Sequence, residues 1–177
     1  MKAFQSKLGL SYIVREAKVS DSEAILPITE HVLKEGFGVS TPEEFHGDVE
    51  VEREWIKGYI EGEHHNRLFV AEHEGELMGL INFDCPNKAK LRHQGSFGMS
   101  VATKWRGQGV GEALLVTLLE FASEHASIDT VRLDVLATNE RAIRLYEKLG
   151  FVHEGRRVRF VKTEAGYEDL LLMAKHV

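Results

Sequence analysis

This sequence predicts a mixed α/β fold, with a predominantly antiparallel sheet of about seven strands flanked by about four helices. Three observations carry that expectation. The periodic segments follow the order β-α-α-β-β-β-α-β-α-β-β. Several strand-like runs follow one another through short turns, which suits antiparallel pairs better than a repeat of parallel βα units. A third signal is the segment from Val110 to about His125, whose broad apolar stripe at helical spacing stands directly behind an alternating glycine run.

Each element has a local reason. Tyr12 to Lys18 reads as the first strand. Ser20-Asp21-Ser22-Glu23 then supplies an N-cap with an acid three residues later, opening a helix to about Lys34. Gly36-Phe37-Gly38-Val39-Ser40 breaks it, and Thr41-Pro42-Glu43-Glu44 forms a second capping box with proline at the first helical position. Glu50 to Glu61 reads as an amphipathic helix carrying Trp55, Ile56, Tyr59 and Ile60. Leu68 to Glu72 and Leu77 to Phe83 are apolar runs around Glu74-Gly75-Glu76, a compact hairpin signal.

Pro86 to Leu91 is a polar connection, and His93 to Val101 reads as the next strand. Its Phe97, Met99 and Val101 share one face while Gly98 and Ser100 share the other. In the following helix Glu112, Glu120 and Glu124 lie opposite the apolar stripe. Thr130 to Leu136 is a strand, and Asn139 to Leu149 a helix that stops at Gly150. Val152 to about Val161 and Tyr167 to about Lys175 close the sheet, with Thr163-Glu164-Ala165-Gly166 turning between them.

Composition narrows the function. The 177 residues suit one domain, 1–177, with a sizeable core. A net charge of −6 argues against an electrostatic nucleic-acid binder. No run approaches the ~18 apolar residues that span a bilayer. Met1 to Lys7 lacks the apolar core of a signal peptide, so a cytoplasmic location with no membrane partner is expected. Cys85 is the single cysteine, which excludes an intrachain disulfide and a Cys-based zinc site. The nine histidines, including the adjacent pair His64-His65, show no HExxH-like spacing, so no metal is expected.

Trp105-Arg106-Gly107-Gln108-Gly109-Val110-Gly111 is the stretch that carries chemistry. Alternating glycines remove Cβ atoms where a bulky anion approaches the backbone, and they permit positive φ. A helix starting there aims unpaired N–H groups and its dipole at that anion, which makes a pyrophosphate seat. A Walker loop is excluded because Gly111 is followed by Glu112-Ala113 rather than Lys-Ser/Thr. The dinucleotide fingerprint G-x-G-x-x-G fails on spacing. What remains is Arg/Gln-x-x-Gly-x-Gly/Ala between a strand and a helix, matched by Arg106, Gly109 and Gly111.

A second segment, from Asn139-Glu140-Arg141-Ala142 through Tyr146, Lys148, Gly150 and Phe151, has the pattern Asn-x-x-Ala-x-x-x-Tyr-x-Lys-x-Gly-Phe. With these two motifs in this order, the chain from about Tyr12 to Met173 resembles the GCN5-related N-acetyltransferase (GNAT) superfamily. The resemblance implies acetyl-CoA as acetyl donor and an amine as acceptor. It implies that backbone N–H groups from Gly107 through Gln108, Gly109 and Val110 to Gly111 hold the pyrophosphate. Met99, Ser100 and Val101 would offer the strand edge that pairs with the pantetheine amides. Arg106 either assists the phosphates or caps the turn. Asn139 offers its side chain to the pantetheine arm, as well as capping its helix. Relatives are often dimers, and Arg156, Arg157, Arg159 and Lys162 form either an exposed charged hairpin or a homodimer contact.

Acetyl transfer needs a neutral amine, a polarised carbonyl, alignment, and a proton for the departing thiolate. Tyr146 is the candidate proton donor, since a phenol stays protonated at neutral pH. The alternative for Tyr146 is a core tyrosine with an anchored hydroxyl.

The general base is open. Relatives often place a glutamate on the strand ahead of the phosphate loop, and here that strand carries no carboxylate. Water, Asp84 and His93 are the candidates. A weakly basic site suits an α-amine, whose pKa of about 7.7–8.0 leaves roughly one part in ten neutral at pH 7. The expected acceptor is therefore a small primary amine or an amino acid. Protein N-terminal acetylation and a non-catalytic acyl-CoA sensor are the alternatives. Phe37, Phe45 and His46 in the Glu35 to Asp48 region either line the acceptor pocket or pin the loop to the core.

Overall fold

The computed structural model describes residues 1–45, 47–62 and 65–177. Eight strands form one sheet in the order β1-β2-β3-β4-β5-β6-β8-β7. They are β1 (Lys2–Gln5), β2 (Ser11–Glu16), β3 (Arg67–His73), β4 (Glu76–Asp84), β5 (Gln94–Val101), β6 (Thr130–Leu136), β7 (Val152–Thr163) and β8 (Gly166–His176). Four α-helices flank it: α1 (Ser22–Lys34), α2 (Val49–Ile60), α3 (Val110–Glu124) and α4 (Glu140–Lys148). All neighbouring strands run antiparallel except the pair β5–β6. The predominantly antiparallel mixed sheet and the four helices are as the sequence predicts.

Strand β1 is the addition. It is a short stretch without a turn residue ahead of it, so local pattern gives it no boundary. It pairs with β2 from Lys2↔Val14 to Gln5↔Ser11. Buried Ser6 closes the connection by accepting the backbone N–H groups of Leu8 and Leu10.

The β3–β4 hairpin turns through Glu74 and Gly75, at φ of 48° and 85°, with His73 opposite Glu76. Two consecutive positive φ values are what a two-residue turn matched to strand twist requires. The second capping box does not start α2. Thr41 N–H donates to the Glu44 carboxylate at 2.8 Å around a single turn, Pro42–Glu44, and α2 is capped instead by Asp48, which accepts Glu50 N–H at 2.7 Å. Asp21 likewise bonds Lys18 N–H and Arg15 rather than the first turn of α1.

Two apolar layers cover the two faces of the sheet. On one, Leu114, Leu115 and Leu118 of α3, with Tyr146 of α4, pack on Ile81, Phe83, Phe97, Leu133 and Met173. On the other, Ile25 and Ile28 of α1 and Ile56 and Tyr59 of α2 pack on Val70 and Leu80. Among the described residues no helix is long and apolar enough to cross a membrane.

The feature that positions the site is a divergence. The parallel strands β5 and β6 pair only at Gln94↔Thr130, Gly95↔Val131 and Ser96↔Arg132. Beyond that point both continue, β5 held by β4 and β6 by β8, but not by each other. A wedge opens between Phe97–Val101 and Leu133–Leu136, and α3 begins at its mouth.

Candidate active site

A cavity of about 720 Å³ occupies this wedge. Its β5 wall is Phe97, Gly98, Met99, Ser100 and Val101, facing Leu133 to Leu136 of β6. The β5 edge lacks a ladder partner there, so its backbone groups are available to an extended polar ligand.

The mouth is the glycine loop. Gly107 and Gly109 sit at φ of 79° and 92°, the left-handed region that side chains rarely adopt. Gly109 is the cap of α3, and a Cβ there would meet nothing within 4 Å, so backbone conformation alone selects glycine. Gly111 differs: its φ is ordinary, and a Cβ would make ordinary contact with Met99 Cε at 3.4 Å and Leu145 Cδ2 at 3.6 Å. The bare Cα at Gly111 thus keeps space on the cavity side rather than relieving a clash. These are the requirements of a phosphate cradle at a helix N-terminus, and the residues present fit a CoA pyrophosphate.

The predicted site residues gather as follows. Met99, Ser100, Val101, Arg106, Gly107, Gly109, Val110, Gly111, Asn139 and Tyr146 all line the cavity. Gln108 does not: its side chain donates to Lys104 O at 3.2 Å, and its carbonyl accepts Lys7 N–H at 3.2 Å. Arg106 takes the turn-capping role. Its guanidinium donates to Val101 O at 2.8 Å and forms a two-pronged pair with Glu35, at 2.8 and 2.7 Å. The Arg106 hydrogen bond holds the Glu35 carboxyl below its ordinary range.

Arg141, on the first turn of α4, makes no hydrogen bond or ion pair among the described residues. Its guanidinium reaches to 4.0 Å from where a Gly107 Cβ would stand. It is, among the described residues, a free cation beside the glycine loop. The sequence motif held it, but nothing local distinguished it from Arg144, which pairs with Glu140 at 3.0 Å.

Asn139 caps α4 by accepting Ala142 N–H at 3.2 Å while lining the cavity. Tyr146 follows two turns later, 8% exposed, its ring edge-on to Phe97. Its hydroxyl makes no hydrogen bond among the described residues, unusual for a buried tyrosine. Burial pushes its pKa up to about 12, so it stays protonated at neutral pH.

Phe37 lines the cavity and Phe45 does not. His46 and His64 lie outside the described residues, and the His65 ring meets that of His125 at 4.1 Å, tilted by 57°. Asp84 and His93 are not on the cavity wall. Asp84 accepts Tyr59 O–H and Asn82 Nδ2–H, each at 2.7 Å. Sequence reasoning missed Lys7, Glu35, Asp134 and Phe160, which reach the cavity from four separate segments. Only the fold joins them.

Residues 29–151 match the family model described as Acetyltransferase (GNAT) family. The chain is 28% identical over 109 residues to an L-amino acid N-acetyltransferase from Escherichia coli, covering 62% of this chain and 67% of that one. It is 29% identical over 184 residues to an N-alpha-acetyltransferase from Sulfurisphaera tokodaii, covering 98% of both. A putative acetyltransferase from Salmonella typhimurium, solved with its cofactor acetyl-CoA, superposes with a TM-score of 0.83 at 20% identity, over 93% of each chain.

Proposed function

Because the chain belongs to the acetyltransferase (GNAT) family, and is therefore an acetyl-CoA-dependent acyltransferase, we propose that it is a single-domain N-acetyltransferase acting on the α-amine of a small molecule or amino acid. The observation that carries this reading is the wedge between β5 and β6, with the glycine loop at its mouth and the Tyr146 hydroxyl inside.

Bound acetyl-CoA supplies an activated acetyl thioester. The chain supplies the rest. Backbone N–H groups of Gly107 to Gly111 and the positive end of α3 seat the pyrophosphate, with Arg141 as the neighbouring cation. The unpaired β5 edge at Met99, Ser100 and Val101 orients the arm as an added strand. Holding both reactants in line lowers the barrier by up to ~7–11 kcal/mol. Tyr146 O–H donates to the sulfur position. Arg106 shapes the mouth by tying Val101 to Glu35 at the end of α1.

The acceptor assignment draws on two of the curated relatives, one named for amino-acid N-acetylation and one for N-alpha-acetylation. A peptide N-terminus is the second reading, favoured by the rim, where Phe37 is 49% and Val39 63% exposed. For assembly, we place a homodimer contact on the β7–β8 hairpin, where Val158 and Tyr167 face outward, testable by light scattering. Free-CoA release assayed over free amino acids, peptide N-termini, polyamines and lysine side chains decides the acceptor. Turnover with the first class supports the proposal; turnover confined to polyamines or lysine side chains overturns it.

A further inference from the structure

Strand β5 lacks a carboxylate, but its neighbour β4 carries one in register. Asp84 is the cross-strand partner of Ser96, the last residue before the wedge opens, and Asn82 is the partner of Gly98 inside it. Asn82 and Asp84 share the sheet face covered by α1 and α2, because Tyr59 of α2 reaches both. Tyr146 lies on the opposite face, against Phe97. Asn82 and Tyr146 therefore lie on opposite faces of the sheet at the level of Phe97 and Gly98, where the wedge begins.

The bonding within the cluster has a direction. Tyr59 O–H donates to Asp84 Oδ1 at 2.7 Å, and Asn82 Nδ2 donates to Asp84 Oδ2 at 2.7 Å. Both donors converge on the carboxylate, and Asn82 Oδ1 is left as an acceptor. That oxygen would stand 2.8 Å from a Cβ at Gly98. A side chain at position 98 would push the Asn82 amide aside, and its absence leaves Asn82 Oδ1 bordering a residue of the cavity wall. A tether that merely anchored α2 would need Tyr59 and Asp84 but not the opening over Gly98.

We propose that the acceptor amine is received on this face at Gly98, with Asn82 Oδ1 accepting a hydrogen bond from its nitrogen and Asp84 serving as the general base, directly or through one water. The proposal rests on the acetyltransferase function above. The arriving ammonium gives one proton to Asp84, which passes it to solvent. The freed lone pair forms the N–C bond as the C–S bond breaks. Tyr146 gives its proton to the sulfur, and the second proton leaving the nitrogen restores it. The groups facing Asp84 are Tyr59 from α2, Ser96 from β5, and beside it the Cys85 thiol, which burial first and the Asp84 charge second push up to about 11, with Arg67 of β3 acting on Cys85 in the opposite sense.

The test is the pH profile of Asp84→Asn with an α-amine acceptor, from about pH 6 to about pH 10. The expected result is a loss in kcat of about 100-fold near neutral pH, partly recovered at high pH where the amine is already neutral, with acetyl-CoA affinity unchanged. A profile parallel to the wild type, or a uniform loss accompanied by a fall in Tm, marks a structural anchor and overturns the assignment. Tyr59→Phe guards against misfolding, since it keeps the ring packed on Trp55. Losing that hydrogen bond should lower kcat with the α-amine acceptor while Tm stays near wild type; an unchanged kcat overturns the proposal. If the wild type releases CoA with no amine, the function fails; if it turns over while Asp84→Asn is unaffected, only this assignment fails.

Discussion

The ring of Tyr146 meets that of Phe97 edge-on, with centroids 5.6 Å apart, and Phe97 is the first residue of β5 beyond its last pair with β6. Phe151 packs on both rings at 5.9 Å. The tyrosine is therefore fixed by two aromatic contacts, themselves joined by the Phe97–Phe151 contact, while its hydroxyl is spent on none of them. Replacing it with phenylalanine keeps the packing and removes only the proton. Turnover should fall about 100-fold, with acetyl-CoA affinity within about twofold of wild type. Equal losses in both, measured by steady-state kinetics and calorimetric titration, would refute its role as donor.

The glycines of the loop should separate by mechanism. Gly109→Ala places a side chain at φ of 92°, where nothing crowds it but the backbone itself resists. It should cost about 1–2 kcal/mol of stability, read as a lower Tm. Gly111→Ala meets only the flexible end of Met99 and Leu145. Its Tm should hold, while acetyl-CoA binding weakens by about tenfold, or 1.4 kcal/mol. Loss of stability without loss of affinity at Gly111 would mean that the bare Cα serves packing.

Arg15 holds Asp21 with two hydrogen bonds, at 2.7 and 2.9 Å, and Glu72 with a third at 2.7 Å, fastening the turn before α1 to β2 and β3. Burial alone would raise the Asp21 carboxyl, but Arg15 and the Lys18 N–H outweigh it and hold it below its ordinary value. Its contribution is present above the unfolded carboxyl pKa of about 3.9 and is lost as pH falls through the lower folded value. Asp21→Asn should cost about 3 kcal/mol at neutral pH. Denaturant melts below about pH 4 should then show the variant and wild type converging.

Glu52 has the opposite sign. It shares the inward stripe of α2 with Ile56 and Tyr59, is 7% exposed, and burial raises its carboxyl. A raised carboxyl favours the fold at pH below the unfolded value and loses that contribution as pH rises through the folded one. Glu52→Gln should therefore raise Tm at pH 7 and leave it nearly unchanged near pH 4. Each kcal/mol recovered is worth roughly 2–4 °C in a chain of this size.

What the sequence determined by itself was local. Positive φ demands glycine at 107 and 109, the α3 stripe demands a helix behind them, and Asn139 and Gly150 bracket α4 at its two ends. Each of these is a property of a few consecutive residues, so the glycine loop and the order of the strands and α-helices after β1 could be read without coordinates. The role of Arg106 could not, because its partners Val101 and Glu35 are 5 and 71 residues away. Phe37 and Phe45 look alike in the chain, and only one reaches the cavity. Register decided the rest. Where β5 and β6 stop pairing, and which residue of β4 faces Gly98, depends on how every strand of the sheet is held by its neighbours. That non-local constraint opens the wedge, and it sets Asn82 opposite Gly98 of its wall.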